Sequence, residues 1–325
     1  MKIARKTLIF AMPFLVLLVC AVCGIRYLQS ERFQEYVRSA LISKFENATG
    51  LNCKINRLRV DVFGGRFVMR GVDLTQRGTA AGLVHLQIPE ISASLSISSV
   101  WHFRIRLHEL TVVQPRLELI SGGGDSSWNP DEMLRNLKIS LRLEASKVRV
   151  QNGWVKLNKN TSPFNFSVDD FAIEIAYEKK LPSYEVRIKY GRSRLFWKDR
   201  DIVHGLDLNV HVSLQGIAID SFQFRRSMTG TNTVMAGNGS LIDWKSPVLN
   251  LHLAGTLDTR DLVLATPSLY EGKGNIQIVG DLRNDQKGIY SKGKFLCRTG
   301  SYRKMNFKSL AGIFEIQNDV LYLRN

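Results

Sequence analysis

Alternation of apolar and polar residues dominates the chain after residue 50. Leu51, Cys53 and Ile55 take every second position, and after a one-residue slip Leu58, Val60 and Val62 resume the pattern. Leu86-Ile88, Ile91-Ala93-Leu95-Ile97, Ile105-Leu107, Leu110-Val112 and, past Pro115, Leu117-Leu119 repeat it. So do Val148-Val150, Val155-Leu157, Phe171-Ile173-Ile175-Tyr177 and Tyr184-Val186-Ile188-Tyr190. Leu206 to Leu214, Ile217-Ile219, Leu249-Leu251-Leu253, Ile276-Ile278, Phe295-Cys297 and the closing "GIFEIQNDVLYLRN" continue it. A period of 2 puts one set of side chains on each face of a strand. Turn-forming triplets such as Gln151-Asn152-Gly153 and Arg283-Asn284-Asp285 fall between the runs and predict hairpins. The expected fold is mainly β and antiparallel, with one apolar and one polar face.

Before residue 50 the period is helical. Phe33, Tyr36, Val37, Ala40, Leu41, Phe45 and Ala48 form one apolar stripe, Ser30 is placed to cap its start, and Gly50 suits its stop. A second short helix is expected where "SGGGDSSWNPDEMLRNL", residues 121–137, breaks the alternation, capped by Asn129 with Pro130 in its first turn. From Thr7 to Ile25 no charge occurs, and Lys2, Arg5 and Lys6 precede the run. That length approaches the roughly 20 residues that cross a bilayer, and the preceding charges keep the N-terminus cytoplasmic. A cleaved signal peptide is the competing element, but the run is long for one and no A-x-A site follows. The chain therefore divides into a signal anchor (1–29), an amphipathic capping helix (30–50) and a strand region (51–325).

Charge and composition narrow the chemistry. The formal net charge is +16, which draws anions of any kind. The basic stretch "RIKYGRSRLFWKDR", residues 187–200, interleaves charge with aromatics; Arg187, Lys189, Arg192 and Arg194 are candidates for contact with anionic headgroups. An exported, anchored chain is not expected to meet nucleic acid. The six histidines show no metal-ligand spacing, and neither a GxSxG elbow nor a complete phosphate loop is present. Cys20 and Cys23 fall in the anchor, while Cys53 and Cys297 sit in strand patterns as small buried side chains. No catalytic residue, cofactor or metal is expected.

The order of elements resembles the N-terminal part of the AsmA/TamB group of envelope proteins. The resemblance rests on an anchor and amphipathic helix ending in Ala48-Thr49-Gly50-Leu51, then "CKINRLRVDVF", "RFVMRGVDL" and "RLHELTVVQPRLEL". The glycine-rich "GGGDSSWNPDEML", then "KVRVQNGWVKLNKN" and "FSVDDFAIEIAY", complete the series, which covers about residues 5–180. It implies a long curved sheet forming a half-open apolar groove. It also implies a protein anchored in the inner membrane of a Gram-negative cell, its bulk in the periplasm, moving phospholipid toward the outer membrane. An outer-membrane β-barrel assembly protein is the implied partner. The alternative is a scaffold or chaperone for outer-membrane proteins, working through sheet edges. Family members are usually longer, so the resemblance implies an incomplete C-terminal region. On this reading the groove is lined by Val112, Leu117, Leu119, Val148, Val150, Ile173, Ile175, Val210, Val212, Leu251, Leu253, Ile276 and Ile278. Periodicity alone fits a closed β-sandwich equally well.

Overall fold

The computed structural model describes residues 23, 26–61, 64–76, 82–95, 106–121, 144–159, 164–178, 183–197, 200–228, 231–244, 246–262, 272–286, 288–302, 305–317 and 320–324. Apart from Cys23, the apolar run 7–25 lies outside them, as does the helix expected near Asn129. Among the described residues no helix is long and apolar enough to cross a membrane.

Helix α1 spans Glu31–Thr49. The Ser30 hydroxyl accepts from the Phe33 N–H, and Gly50 closes the helix in the left-handed conformation at φ 69°, its own N–H donating to the Glu46 carbonyl. A residue without Cβ takes that conformation at little cost.

The seventeen strands among the described residues join one sheet. They are β1 (Leu51–Asp61), β2 (Arg66–Gln76), β3 (Gly82–Leu95), β4 (Arg106–Val113), β5 (Arg116–Ser121) and β6 (Glu144–Lys159). Then come β7 (Phe164–Glu178), β8 (Ser183–Trp197), β9 (Arg200–Val212), β10 (Gly216–Met228), β11 (Thr231–Ile242) and β12 (Val248–Asp258). The short helix α2 (Thr259–Leu262) precedes β13 (Gly272–Asp285), β14 (Gly288–Tyr302), β15 (Met305–Phe307), β16 (Leu310–Gln317) and β17 (Val320–Arg324). Strands adjacent in sequence pair antiparallel, with β14 passing over the short β15 to β16.

One step departs from that meander. β4 and β5 lie end to end along β3, interrupted at Gln114-Pro115, and both pair with β6 in parallel. A parallel pair cannot be joined by a tight turn: β5 ends at Ser121 at one end of the ladder, and β6 begins at Glu144 at the other. The all-antiparallel expectation fails here. The hairpin expected at Gln151-Asn152-Gly153 is also corrected: β6 runs straight through it. Asn152 takes φ 52°, and the register with β7 shifts on both sides of Gly153. Gln114 (φ 51°) and Asp170 (φ 53°) make the same excursion on neighbouring strands. Gln114 N–H donates to the Gln151 carbonyl at 2.7 Å, and Trp154 N–H to the Pro115 carbonyl at 2.7 Å. Turn-type residues thus serve as bulges that bend long strands, not as ends of short ones.

The buried core sits at one end of the sheet. Leu51, Cys53, Ile55, Leu58, Met69, Val72, Leu74, Ile88 and Ile91 pack beneath Val37, Leu41, Ile42 and Phe45 of α1. The helix runs antiparallel to β1. Glu46 Oε1 accepts from the Cys53 N–H at 3.1 Å, and Arg38 donates to the Asn56 carbonyl at 3.1 Å. The start of α1 therefore lies at the end of the sheet where β1 turns into β2, called the upper end below.

Burial pushes the Cys53 thiol up to about 11 from a usual value near 9, with Glu46 and Asp73 adding repulsion. Since folding favours the protonated thiol, its contribution is full below pH 9 and fades as pH rises toward 11. The loss is about 2–3 kcal/mol. Unfolding midpoints measured across that range should fall more steeply in the native protein than in Cys53→Ala, and parallel slopes would refute this.

Candidate functional site

The strand register brings the apolar positions into rows that cross the sheet. Pair by pair from β1 to β17, one row reads Leu58, Met69, Ile91, Val112, Val150, Ile173, Ile188 and Leu208. It continues through Phe222, Gly237, Leu253, Gly280, Gly293, Phe314 and Leu323. The row beside it, toward the upper end, reads Val60, Phe67, Ala93, Leu110, Val148, Ile175, Val186 and Val210. Ile219, Gly239, Leu251, Leu282, Ser291, Ile316 and Leu321 complete it. Ser291 is the one polar member of the two rows. At about 4.8 Å per strand the rows are roughly 65 Å long.

Chance would not keep two rows apolar through so many strands, because a one-residue slip at any pair would turn polar side chains onto this face. Beneath α1 the rows are closed over and buried. Beyond β4 most of their side chains are only half-buried, among them Ile173, Ile175, Leu251 and Leu253.

All thirteen positions expected to line an apolar groove fall on this face. Val112, Val150, Ile173 and Leu253 stand in the first row; Val148, Ile175, Val210 and Leu251 stand in the second. Val212 lies further toward the upper end, opposite Tyr184 and Ile217. Leu117, Leu119, Ile276 and Ile278 lie on the lower side. Val112 and Leu119 also touch the core under α1.

The four basic candidates are on the opposite, charged face. Arg187 pairs with Glu185 at 2.5 Å, and Lys189 with Asp207 at 3.8 Å. Arg192 and Arg194 are exposed. This face is a lattice of cross-strand ion pairs: Arg149 with Glu109 at 2.6 Å and with Glu174 at 3.4 Å, Lys156 with Glu118 at 3.1 Å, and Arg70 with Glu90 at 2.9 Å. A hydrogen bond from Lys147, helped by Arg149, holds the Glu174 carboxyl below its usual range. A cleft of about 740 Å³ also opens on the charged side of β10–β13, beside Asp220, Asn238, His252 and Asp281.

Two features escaped the sequence. The first is a smooth floor in the C-terminal half, where rings lie over glycines of the next strand. A Cβ on Gly293 would come 2.7 Å from Phe314 Cε1, and one on Gly237 would come 2.9 Å from Phe222 Cε1. Phe295 covers Gly312 in the same way. The glycines let the rings lie along the sheet instead of standing up from it. Only the register reveals these pairs.

The second is a polar island on the lower side of the apolar face. Ser193 and His204 face each other across β8 and β9, and Arg226 faces Thr233 across β10 and β11. All four are buried. Arg226 and Thr233 both bind the Asp261 carboxylate, and Thr233 Oγ1 accepts from the Asp258 N–H at 3.0 Å. Tyr190 and His204 hydrogen-bond at 3.2 Å. Buried charge is tolerated only when paired in this way, and the pairing pins α2 onto β10–β12.

Phe314 meets backbone-tight surroundings at Gly293, where a Cβ would also lie 2.4 Å from the Val279 carbonyl oxygen. Gly293→Ala should destabilise the protein by about 1–3 kcal/mol. An unfolding midpoint equal to the native one would show that the ring does not lie where described.

No protein-family model matches the chain, and no curated protein matches it.

Proposed function

We propose that the chain is a membrane-anchored carrier of phospholipid whose acyl chains lie along the apolar rows, within a half-open groove, on the way from an inner to an outer membrane. The observation that supports this reading is the continuity of the two rows across the sheet. Each methylene taken from hydrocarbon into water costs about 0.8 kcal/mol, so a path for acyl chains has to offer apolar contact without a gap. Glycines beneath Phe222, Phe295 and Phe314 let those rings lie along the far half of the face. The resemblance to the AsmA/TamB group points the same way and supplies the periplasmic setting. The open part of the path starts at β4, because the apolar face of the first three strands is already buried in the cluster against which α1 packs.

The test uses the full chain reconstituted in donor vesicles, with transfer of labelled phospholipid to acceptor vesicles as readout. Leu208→Asp together with Leu253→Asp puts two charges into one row, and transfer should fall at least tenfold. Asn250→Asp together with Gln277→Asp puts the same charges on the other face and should leave the rate unchanged. Unreactive Cys53 and Cys297 thiols report that the fold persists. A folded row variant that transfers lipid at the native rate contradicts the proposal.

A further inference from the structure

Three residues in left-handed backbone meet at one place on the charged face. Gln114, Asn152 and Asp170, at φ 51°, 52° and 53°, lie at the break between β4 and β5, on β6 and on β7. Together with Arg116, Trp154 and Asp169 they line a single cleft of about 460 Å³. Small-ligand sites commonly span roughly 300–1,000 Å³.

The choice of residue there is informative. Left-handed backbone suits glycine, and the chain uses glycine for it at Gly50, Gly65 and Gly71. Asn and Asp tolerate that conformation, and Gln has no such advantage. Bending the strands would be served as well by glycine at all three bulges. The chain instead keeps three polar side chains, and all three border the same cleft. Backbone held in sparsely populated conformations gathers where ligands are gripped.

The charges around the cleft are also unlike their neighbours. Elsewhere on this face opposite charges are joined, as Arg149 is to Glu109 and Lys156 to Glu118. In the cleft over β10–β13, His252 binds Asp281 at 2.8 Å, and Arg283 is held by Asp285 at 3.0 Å. Among the described residues Arg116, Asp169 and Asp170 form no ion pair, although Asp169 faces Arg192 in register. Their hydrogen-bonding capacity is left for something else.

Trp154 decides what that is. It faces Arg116 across β5 and β6, and its neighbour Val155 faces Leu117 and Val168 on the apolar side, so the indole belongs to the charged face. There it is half-buried, a flat apolar surface within a polar ring. Both signs of charge line the cleft, which favours neither a simple anion nor a simple cation. Amides, carboxylates and a guanidinium are planar groups with paired donors or acceptors. A sugar ring matches this set: its C–H face stacks on an aromatic ring, and its neighbouring hydroxyls both donate and accept.

We propose that this cleft binds a saccharide, with a sugar ring stacked on Trp154. Arg116, Asp169, Asp170, Asn152 and Gln114 hydrogen-bond its hydroxyls. The site lies on the face opposite the apolar rows and is independent of whether those rows carry lipid.

The experiment applies the full chain, in a detergent without a sugar headgroup, to an array of neutral and amino-sugar oligosaccharides and measures affinity for those retained. At least one should be retained. Trp154→Ala should weaken binding at least tenfold, as should Asp169→Asn with Asp170→Asn, which keeps a residue tolerant of the left-handed conformation. Gln114→Gly relieves the backbone, so it should bind more weakly with no loss in unfolding midpoint. Retention of no saccharide by the native chain overturns the proposal. So does retention that the folded variants leave unchanged.

Discussion

Uncovered hydrocarbon is the constraint on which this structure turns. A sheet with one apolar face must cover that face, and each square ångström left wet costs about 25 cal/mol. Over β1–β3 the cost is removed by α1, which supplies Val37, Leu41, Ile42 and Phe45 and generates the buried cluster. Past β4 the rows continue with side chains that stay half-buried. The chain keeps them apolar through strand after strand.

The remaining features follow from managing such a face. Bulges at Gln114, Asn152 and Asp170 bend strands too long to stay flat. Cross-strand ion pairs such as Arg149 with Glu109 and Glu174 keep the opposite face wet and in register. The Arg226–Asp261 pair, buried at the lower side, would be costly unpaired, and it holds α2 against the strands. Each device stabilises the one sheet that the strands form.

Much of the fold was legible because its signal is local. Period-2 runs identified the strands and their apolar sides, and Ser30 and Gly50 marked the limits of α1. Non-local facts were not. Asn152-Gly153 looks like a hairpin turn and is a bulge, since turn residues supply the same positive φ in both settings. The parallel step from β4 and β5 to β6 leaves no trace in composition. Phe314 over Gly293, and Arg226 beside Asp261, depend on which strands become neighbours, which alternation alone leaves open. The apolar positions themselves could be named one by one, but not their alignment into rows. That alignment is what turns separate amphipathic strands into a candidate path.

Photo-crosslinking at two adjacent residues of β13 tests the account most directly. Ile278 lies half-buried on the apolar face, and Val279, also aliphatic but exposed, lies on the charged one. With a photoreactive amino acid at each position in cells, phospholipid adducts should form at 278 and not at 279. Adducts at both positions, or at neither, would contradict a lipid path along this face.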